Sequence, residues 1–201
     1  ERLQCPQMTE PFVHLHVHSY FSLLDGCTSP TALARAAAHL GMPALALTDH
    51  DALYGAVEFY DACHQAGIRP IIGLELSVDT GHARPDTLVL LARDMEGYSN
   101  LCYLSSALQT RGQAQGPLDR GLPPNELQGH TAGLIALSGG KASRIDHLIR
   151  TGRIHDAESA ALAWAGLFSR DHLYLELQIQ EPGDVESASA LAGLAKKLRI
   201  G

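Results

Sequence analysis

The sequence lacks the features of several large protein classes. No apolar run approaches the roughly 20 residues that a membrane-spanning helix needs, and the N-terminus has no basic segment followed by an apolar one, as a signal peptide would. The four cysteines form no C-x-x-C pair, which excludes a zinc knuckle and gives no disulfide framework. There is no internal repeat and no low-complexity tract. We therefore expect a globular protein of the reducing cytoplasm, with no membrane partner.

Basic charge is scarce in the first half of the chain. Residues 1–100 carry 12 Asp and Glu against 5 Lys and Arg, whereas the two kinds of charge balance in residues 101–201. A general nucleic-acid-binding surface would be basic, so this stretch alone is not a DNA clamp. Histidines are as numerous as all aromatic residues together, and five of the 11 precede residue 51. Acidic residues and histidines in one half suggest a cation site, although scattered surface histidines are the simpler alternative.

Strand-like and helix-like patterns alternate along the chain. Strands are predicted at 12–18, 44–48, 70–78, 87–92, 133–138 and 172–179, and helices at 29–40, 52–66, 96–109, 142–150, 155–168 and 183–198. Residues 110–124 read as a loop. Alternating units of this kind predict an α/β fold with a parallel sheet, open or closed into a barrel. A further strand should start at residues 199–201 and the chain has no initiator Met, so we expect a fragment that ends before the barrel is complete.

Four polar features lie where predicted strands end, which is where α/β proteins bind ligands. His14, His16 and His18 alternate along the first strand and are expected on one face. His50 follows the buried strand ALALT between Asp49 and Asp51, either of which could simply cap the next helix. The remaining two features are Glu75, within the apolar strand PIIGLELSV, and Asp25, in a loop where Asp-Gly is also a plain turn signal.

Together these residues have the chemistry of a multi-metal site. Neutral imidazole nitrogen suits zinc, iron and manganese, and carboxylate oxygens suit manganese and can bridge two metals. Such a site lowers the pKa of a bound water and clamps both oxygens of a phosphoryl displacement. No side chain is assigned as catalytic, because the reactive group would be a metal-activated water.

Three runs of sequence carry a family resemblance: FVHLHVHSYFSLLDG, PALALTDHDALYGAVEFY and GIRPIIGLELSV. They resemble the polymerase-and-histidinol-phosphatase (PHP) domain, most closely the branch that opens the α subunits of bacterial DNA polymerase III. The runs LLARDMEGYSNLCYLSSA, GLIALSGG and HLYLELQ favour the same branch. The resemblance implies a distorted seven-stranded α/β barrel, here incomplete, with residues 1–11 as an N-terminal extension and residues 12–201 as a partial PHP domain.

The resemblance also implies a site and partners. By position, the family's metal ligands correspond to His16, His18, Asp25, His50 and Glu75, which would hold two or three divalent ions (zinc, manganese or iron) if the site is intact. His14 matches a position with a structural role, expected to hydrogen-bond deeper in the barrel. The implied partners are DNA, through the parent polymerase, and replisome subunits such as the proofreading exonuclease subunit and the sliding clamp.

The sequence departs from the family pattern at two positions. Thr87 stands where the family places a histidine, and Gly140 stands where some members place a metal-binding cysteine. Asp86 or His82 could compensate, and the final ligand pair would lie beyond residue 201. The domain would thus be either a metal-dependent 3′–5′ exonuclease or a scaffold, and we expect little catalysis. The alternatives are a stand-alone phosphoesterase of the histidinol-phosphatase type and a purely structural interaction domain.

Overall fold

A computed structural model describes residues 12–111 and 121–201. The predicted extension 1–11 and most of the predicted loop 110–124 lie outside these residues. Five strands are found within them: β1 (Ala44–Leu47), β2 (Arg69–Val78), β3 (Asp86–Ala92), β4 (Leu134–Leu137) and β5 (Leu173–Tyr174). Six α-helices accompany the strands: α1 (Pro30–His39), α2 (Ala56–Ala66), α3 (Met95–Gln109), α4 (Arg144–Arg150), α5 (Ile154–Phe168) and α6 (Asp184–Leu198). The α/β class is therefore confirmed.

The strands form one mixed sheet in the order β1-β2-β3-β4-β5. β1 pairs with β2 and β4 with β5 in parallel, but β3 is antiparallel to both of its neighbours. The expectation of an all-parallel sheet was wrong at β3. Only residues 79–85 connect β2 to β3, and a parallel return needs a crossover of a dozen or more residues.

The first predicted strand, 12–18, is not a regular strand. Ala46 donates to His14 O and Thr48 donates to Val17 O, each over 2.9 Å. The two acceptors are three residues apart, whereas the two donors are only two residues apart. The segment therefore contains one extra residue relative to the β1 side, and it bends at Leu15 and His16. This extra residue breaks the predicted alternation, and the three histidines do not share one environment.

The last predicted strand is also shorter than expected, since only two residues pair as β5. At the C-terminus the chain returns to the edge of β5 that does not pair with β4. Gly201 donates to Leu173 O over 3.3 Å, and Leu175 donates to Gly201 O over 2.8 Å, which is the bond pattern of a single parallel bridge. Residues 199–201 form no regular strand, so the strand expected to start there stays a prediction.

Alternation along the strands divides apolar side chains between the two faces of the sheet. Leu74, Leu76 and Leu88 face the helices and belong to the main core, which includes Trp164 of α5. The opposite face carries a smaller cluster of Ala46, Val89, Leu91 and Leu137. An open cavity of about 1210 Å³ adjoins this inner face, between residues 12–16 and 174–180. The sheet thus curls into an incomplete barrel whose inner face carries the candidate site.

Candidate metal centre

His16 and His18 reach the inner side of the barrel through the bent segment beside β1. Thr48 anchors this segment, because its hydroxyl accepts from Val17 N–H over 2.9 Å and donates to Val17 O over 3.1 Å. Both imidazoles are partly buried. His14 lies elsewhere: it is exposed, and its ring packs edge-on against Phe12 at 4.8 Å. The expected interior role of His14 was therefore wrong, because the bend turns it out of line with the other two.

Asp25 is carried by a loop that β1 holds in place through Asp49. The buried Asp49 carboxylate accepts from the backbone and hydroxyl of Ser19 and from the hydroxyl of Ser22. The Ser22 hydroxyl also accepts from His50 N–H over 3.1 Å. Helix α2 begins only at Ala56, with Gly55 as its N-cap. Asp49 is therefore a loop anchor and not the helix cap that the sequence allowed.

His50 and Glu75 are brought together by the continuation of the β1–β2 pairing. The two residues form an isolated parallel bridge, in which Glu75 N–H donates to Asp49 O and Asp51 N–H donates to Glu75 O. Asp51 has a positive φ of 56° and accepts from the backbone and hydroxyl of Ser77. It too anchors a strand end and caps no helix. The Glu75 side chain faces inward, opposite Val89 in the β2–β3 register.

All five predicted site residues meet around Glu75 and Asp25. Glu75 Oε2 lies 2.6 Å from His16 Nε2 and 3.2 Å from His18 Nε2, and Glu75 Oε1 lies 2.7 Å from His50 Nδ1. Asp25 Oδ2 lies 2.6 Å from His18 Nδ1 and 3.0 Å from His50 Nε2. The expected convergence of these side chains is therefore found, with two carboxylates placed among three imidazoles.

The contacts between acids and imidazoles shift the pKa values of the cluster. Burial disfavours the imidazolium of His16, but the hydrogen bonds that it donates to Glu176 and Glu75 outweigh this effect and raise the pKa of His16 to about 9. The hydrogen bond to Glu75 is the main cause that raises the pKa of His50 to about 9. Burial would raise the pKa of Glu75, yet its histidine partners hold that pKa well below the usual range. Hydrogen bonds from His18 and His50 likewise lower the pKa of Asp25.

The donor set fits divalent metal ions. Two groups of side chains offer ligand atoms within 4.8 Å of one another: His16, His18 and Glu75, and His18, Asp25 and His50. The buried His18 Nε2 forms no hydrogen bond, and the nearest acid oxygen, Glu75 Oε2, lies 3.2 Å from it. A buried nitrogen without a partner is costly in a protein interior. A cation between His18 Nε2 and the Glu75 carboxylate would remove that cost.

Two further residues reach the cluster from the chain after β5. Glu176 Oε1 lies 2.9 Å from His16 Nδ1, and Gln178 Nε2 donates to Glu176 Oε1 over 2.8 Å. Neither was predicted as part of the site. Glu176 stands between two leucines in HLYLELQI, as Glu75 does in PIIGLELSV, so the same argument from a carboxylate in an apolar strand would have singled it out.

The structure also places the residues at the two departures from the family pattern. Thr87 lies opposite Ser77 on the inner face of the sheet, whereas Asp86 lies opposite Val78 on the outer face. Asp86 accepts hydrogen bonds from Trp164 Nε1 and from Arg144 N–H. The suggestion that Asp86 compensates for the missing ligand was therefore wrong, because neighbouring residues of a strand point to opposite faces. Neither Asp86 nor His82 belongs to the two ligand groups found among the described residues.

Comparisons with known proteins agree with this architecture. The PHP domain model matches residues 14–180. The DNA polymerase III subunit alpha of Bacillus subtilis is 39% identical over 83% of this chain, and the error-prone DNA polymerase of Symbiobacterium thermophilum is 40% identical over 94% of it. The chain spans only 15% and 18% of those two proteins.

Solved structures share the fold at low sequence identity. A protein of Bifidobacterium adolescentis described as a metal-dependent phosphoesterase has a TM-score of 0.61 at 16% identity, covering 95% of this chain and 86% of its own. An amidohydrolase of Chromobacterium violaceum has a TM-score of 0.58 at 18% identity, covering 94% and 84%. Sequence motifs, family match and fold agree, and the chain belongs to the PHP domain family.

Proposed function

We propose that this chain is the PHP domain of a bacterial replicative DNA polymerase of the DNA polymerase III α type. The observation that carries the proposal is the extent of the similarity: α subunits from several bacteria are 36–41% identical over 83–94% of the chain. In this proposal residues 12–201 form the domain, residues 1–11 precede it as an extension, and the parent protein is a DNA-directed DNA polymerase. DNA, the proofreading exonuclease subunit and the sliding clamp are its partners in the bacterial cytoplasm.

Within this domain, we propose that the five clustered residues hold divalent metal ions. His16, His18 and Glu75 would form one group and His18, Asp25 and His50 the other. Their nitrogen and oxygen donors suit zinc, manganese and iron alike. When bound, such ions supply Lewis-acid stabilisation and an activated water to phosphodiester chemistry. The protein's own contribution is to hold the donors close together, with Glu75 on strand β2 in contact with all three histidines.

The geometry favours a stabilising role for the metal over turnover. Multi-metal phosphodiesterases hold each ion with a defined number of ligands. At the two departures this chain offers the Thr87 hydroxyl and no side chain at Gly140, and Asp86 points away from the cluster. Bound metal ions would neutralise the carboxylates of Asp25 and Glu75. They would thereby link the loop that carries Asp25 to strand β2. A stand-alone phosphoesterase remains the second candidate.

The reading frame and the metal content together test this proposal. The gene should continue for many hundreds of codons beyond residue 201, and its full-length product should extend a primed template. Metal analysis of that product should show bound zinc, manganese or iron, and less in a His18→Ala variant, because His18 belongs to both groups. A reading frame that closes within a few dozen codons, with a product that hydrolyses histidinol phosphate, would replace the polymerase assignment by the phosphoesterase. Metal-free protein after purification with added metal would refute the metal site.

A further inference from the structure

Glu176 contacts the Nδ1 edge of the His16 ring, which points away from the other clustered residues. Its Oε1 and Oε2 atoms lie 2.9 and 3.1 Å from His16 Nδ1, while His16 Nε2 lies 2.6 Å from Glu75. His16 therefore has one carboxylate at each ring nitrogen. Glu176 stands outside both groups of ligand atoms, so its contact with the cluster is made through His16.

The position of Glu176 is fixed by neighbours on both sides. Its backbone N–H donates to the hydroxyl of the buried Ser138, at the end of β4, over 3.0 Å. Gln178 Nε2 donates to Glu176 Oε1 over 2.8 Å. The Gln178 carbonyl oxygen in turn accepts from Lys141 N–H over 3.1 Å. A continuous chain of hydrogen bonds thus runs from the backbone after β4 through Gln178 and Glu176 to His16.

Gly140 provides the space through which this chain of bonds passes. A Cβ atom at residue 140 would overlap the amide group of Gln178, and the φ of Gly140 is +57°, which disfavours any other residue. The same position holds a ligand in some family members according to the sequence resemblance. In this chain the Gln178 amide occupies the room that such a side chain would need.

We propose that Glu176, held by Gln178 over Gly140, is a positioning residue that fixes His16 for metal binding. A carboxylate that accepts from Nδ1–H keeps the proton on that nitrogen, so Nε2 presents its lone pair to the ion. It also fixes the ring plane and makes Nε2 a stronger donor. The inference rests on the proposed metal site, and it explains how a chain without a ligand at residue 140 can still hold a well-oriented His16.

Metal affinity of the full-length protein tests this role. Removing an outer partner of a metal-bound histidine typically weakens metal affinity by about 10–100-fold. We expect that loss in Glu176→Ala, and a smaller loss in Glu176→Gln, because a glutamine oxygen can still accept from Nδ1–H. The dissociation constants for zinc and manganese can be measured by competition with a chelator. A Glu176→Ala variant that binds both metals as the parent does would overturn the proposal.

Two glycine substitutions test whether the Gln178 amide supports Glu176. Gly140→Ala should displace the Gln178 amide and weaken metal binding toward the level of Gln178→Ala. Gly152→Ala is the matched control, because Gly152 also has a positive φ of 74° but a Cβ there meets nothing within 4 Å. In a Gly140→Ala/Gln178→Ala double variant the two losses should not add. Equal losses in the two glycine variants would show general backbone strain and contradict a role for Gln178.

The position of the proton on the His16 ring shows whether the positioning role or the metal site itself has failed. Nitrogen NMR of the zinc-loaded protein should show His16 with its proton on Nδ1, and Glu176→Ala should perturb that Nδ1 resonance. In metal-free protein the Nδ1 resonance should still respond to Glu176→Ala, because the contact needs no ion. If no metal binds but this response is seen, the metal site is refuted while the contact stands. An Nδ1 resonance that ignores Glu176 overturns the positioning role itself.

Discussion

Ser19 donates two hydrogen bonds to one carboxylate, that of Asp49. The Ser19 backbone N–H lies 2.7 Å from Asp49 Oδ1, and its hydroxyl lies 2.7 Å from Oδ2. Ser22 adds a third bond of 2.6 Å, and Asp49 is only 2% exposed. The loop that presents Asp25 is therefore fastened to the end of β1 by a buried acid that itself stands outside the ligand groups.

Replacing Asp49 by alanine should loosen this loop and destabilise the domain. Hydrogen bonds to a charged group contribute roughly 1.5–3 kcal/mol each, and partners left unpaired in a buried site add to the loss. We expect a decrease of at least about 2 kcal/mol in the free energy of unfolding, measured by urea denaturation, and weaker metal binding because Asp25 is less well held. Asp61→Ala, at an exposed position of α2, is the control. Similar small losses in both variants would show that Asp49 fastens nothing.

Several features of the fold and of the candidate site could be predicted from the sequence, because local chemistry determines them. Ser29 followed by Pro30 predicts the start of α1, and the Ser29 side chain does cap that helix. The carboxylate of Glu75 within an apolar strand predicts a partnered acid, and its partners are the predicted histidines. Such features are readable because the signal for each, a Ser-Pro pair or a carboxylate flanked by leucines, lies in residues next to one another in the chain.

The features that could not be predicted depend on residues that are distant in the sequence. The alternation of FVHLHVH is that of a regular strand, and nothing local reveals the extra residue against β1 that separates His14 from His16 and His18. The carboxylate of Glu176 within an apolar strand indicates a partnered acid, but its partner could not be named, because His16 lies 160 positions away in the sequence. The antiparallel course of β3, by contrast, was readable from the short connection at residues 79–85.

Removal of the side-chain charge should weaken metal binding at Glu75 but not at Asp86. Glu75→Gln should abolish or strongly weaken metal binding, because the carboxylate contacts all three histidines. Asp86→Asn should leave metal affinity unchanged, because this side chain bonds Trp164 and Arg144 on the outer face. Asp86→Asn should cost some stability, because an amide nitrogen cannot accept the bond that Trp164 Nε1 donates to Asp86 Oδ2, but this loss is separate from metal affinity. Isothermal titration with manganese would measure both affinities, and a lower affinity in Asp86→Asn would restore Asp86 as a candidate ligand.

The metal-free domain should lose stability as the pH rises from about 6.5 to 9. The pKa of His16 is raised from 6.5 to about 9 in the folded state, so its ion pairs are fully present below pH 6.5 and are lost as pH passes through about 9. For His16 alone the shift corresponds to on the order of 3 kcal/mol. The acids act in the other direction: the lowered pKa of Glu75 gives stability above about pH 4.5 that falls away in stronger acid.

Thermal unfolding in the presence of a chelator checks this pH dependence. The melting temperature should be highest between about pH 4.5 and 6.5 and should fall on both sides. A His16→Gln variant should flatten the alkaline fall, whereas His155→Gln, at an exposed position of α5, should leave it unchanged. A metal-free melting temperature that stays constant from pH 6.5 to 9 would contradict the charged cluster.

The cluster itself should catalyse little phosphodiester cleavage. With Thr87 and Gly140 in place of two donors, we expect the full-length protein, freed of any separate exonuclease subunit, to degrade a mismatched primer very slowly in manganese or zinc. The loss of even outer partners costs about 10–100-fold in activity, so two absent donors should cost at least that. Steady 3′–5′ degradation that disappears in both His16→Ala and Glu75→Ala would contradict this expectation and make the domain a nuclease. Slow degradation that persists unchanged in those two variants would instead come from a contaminating enzyme, because both variants remove groups at the centre of the cluster.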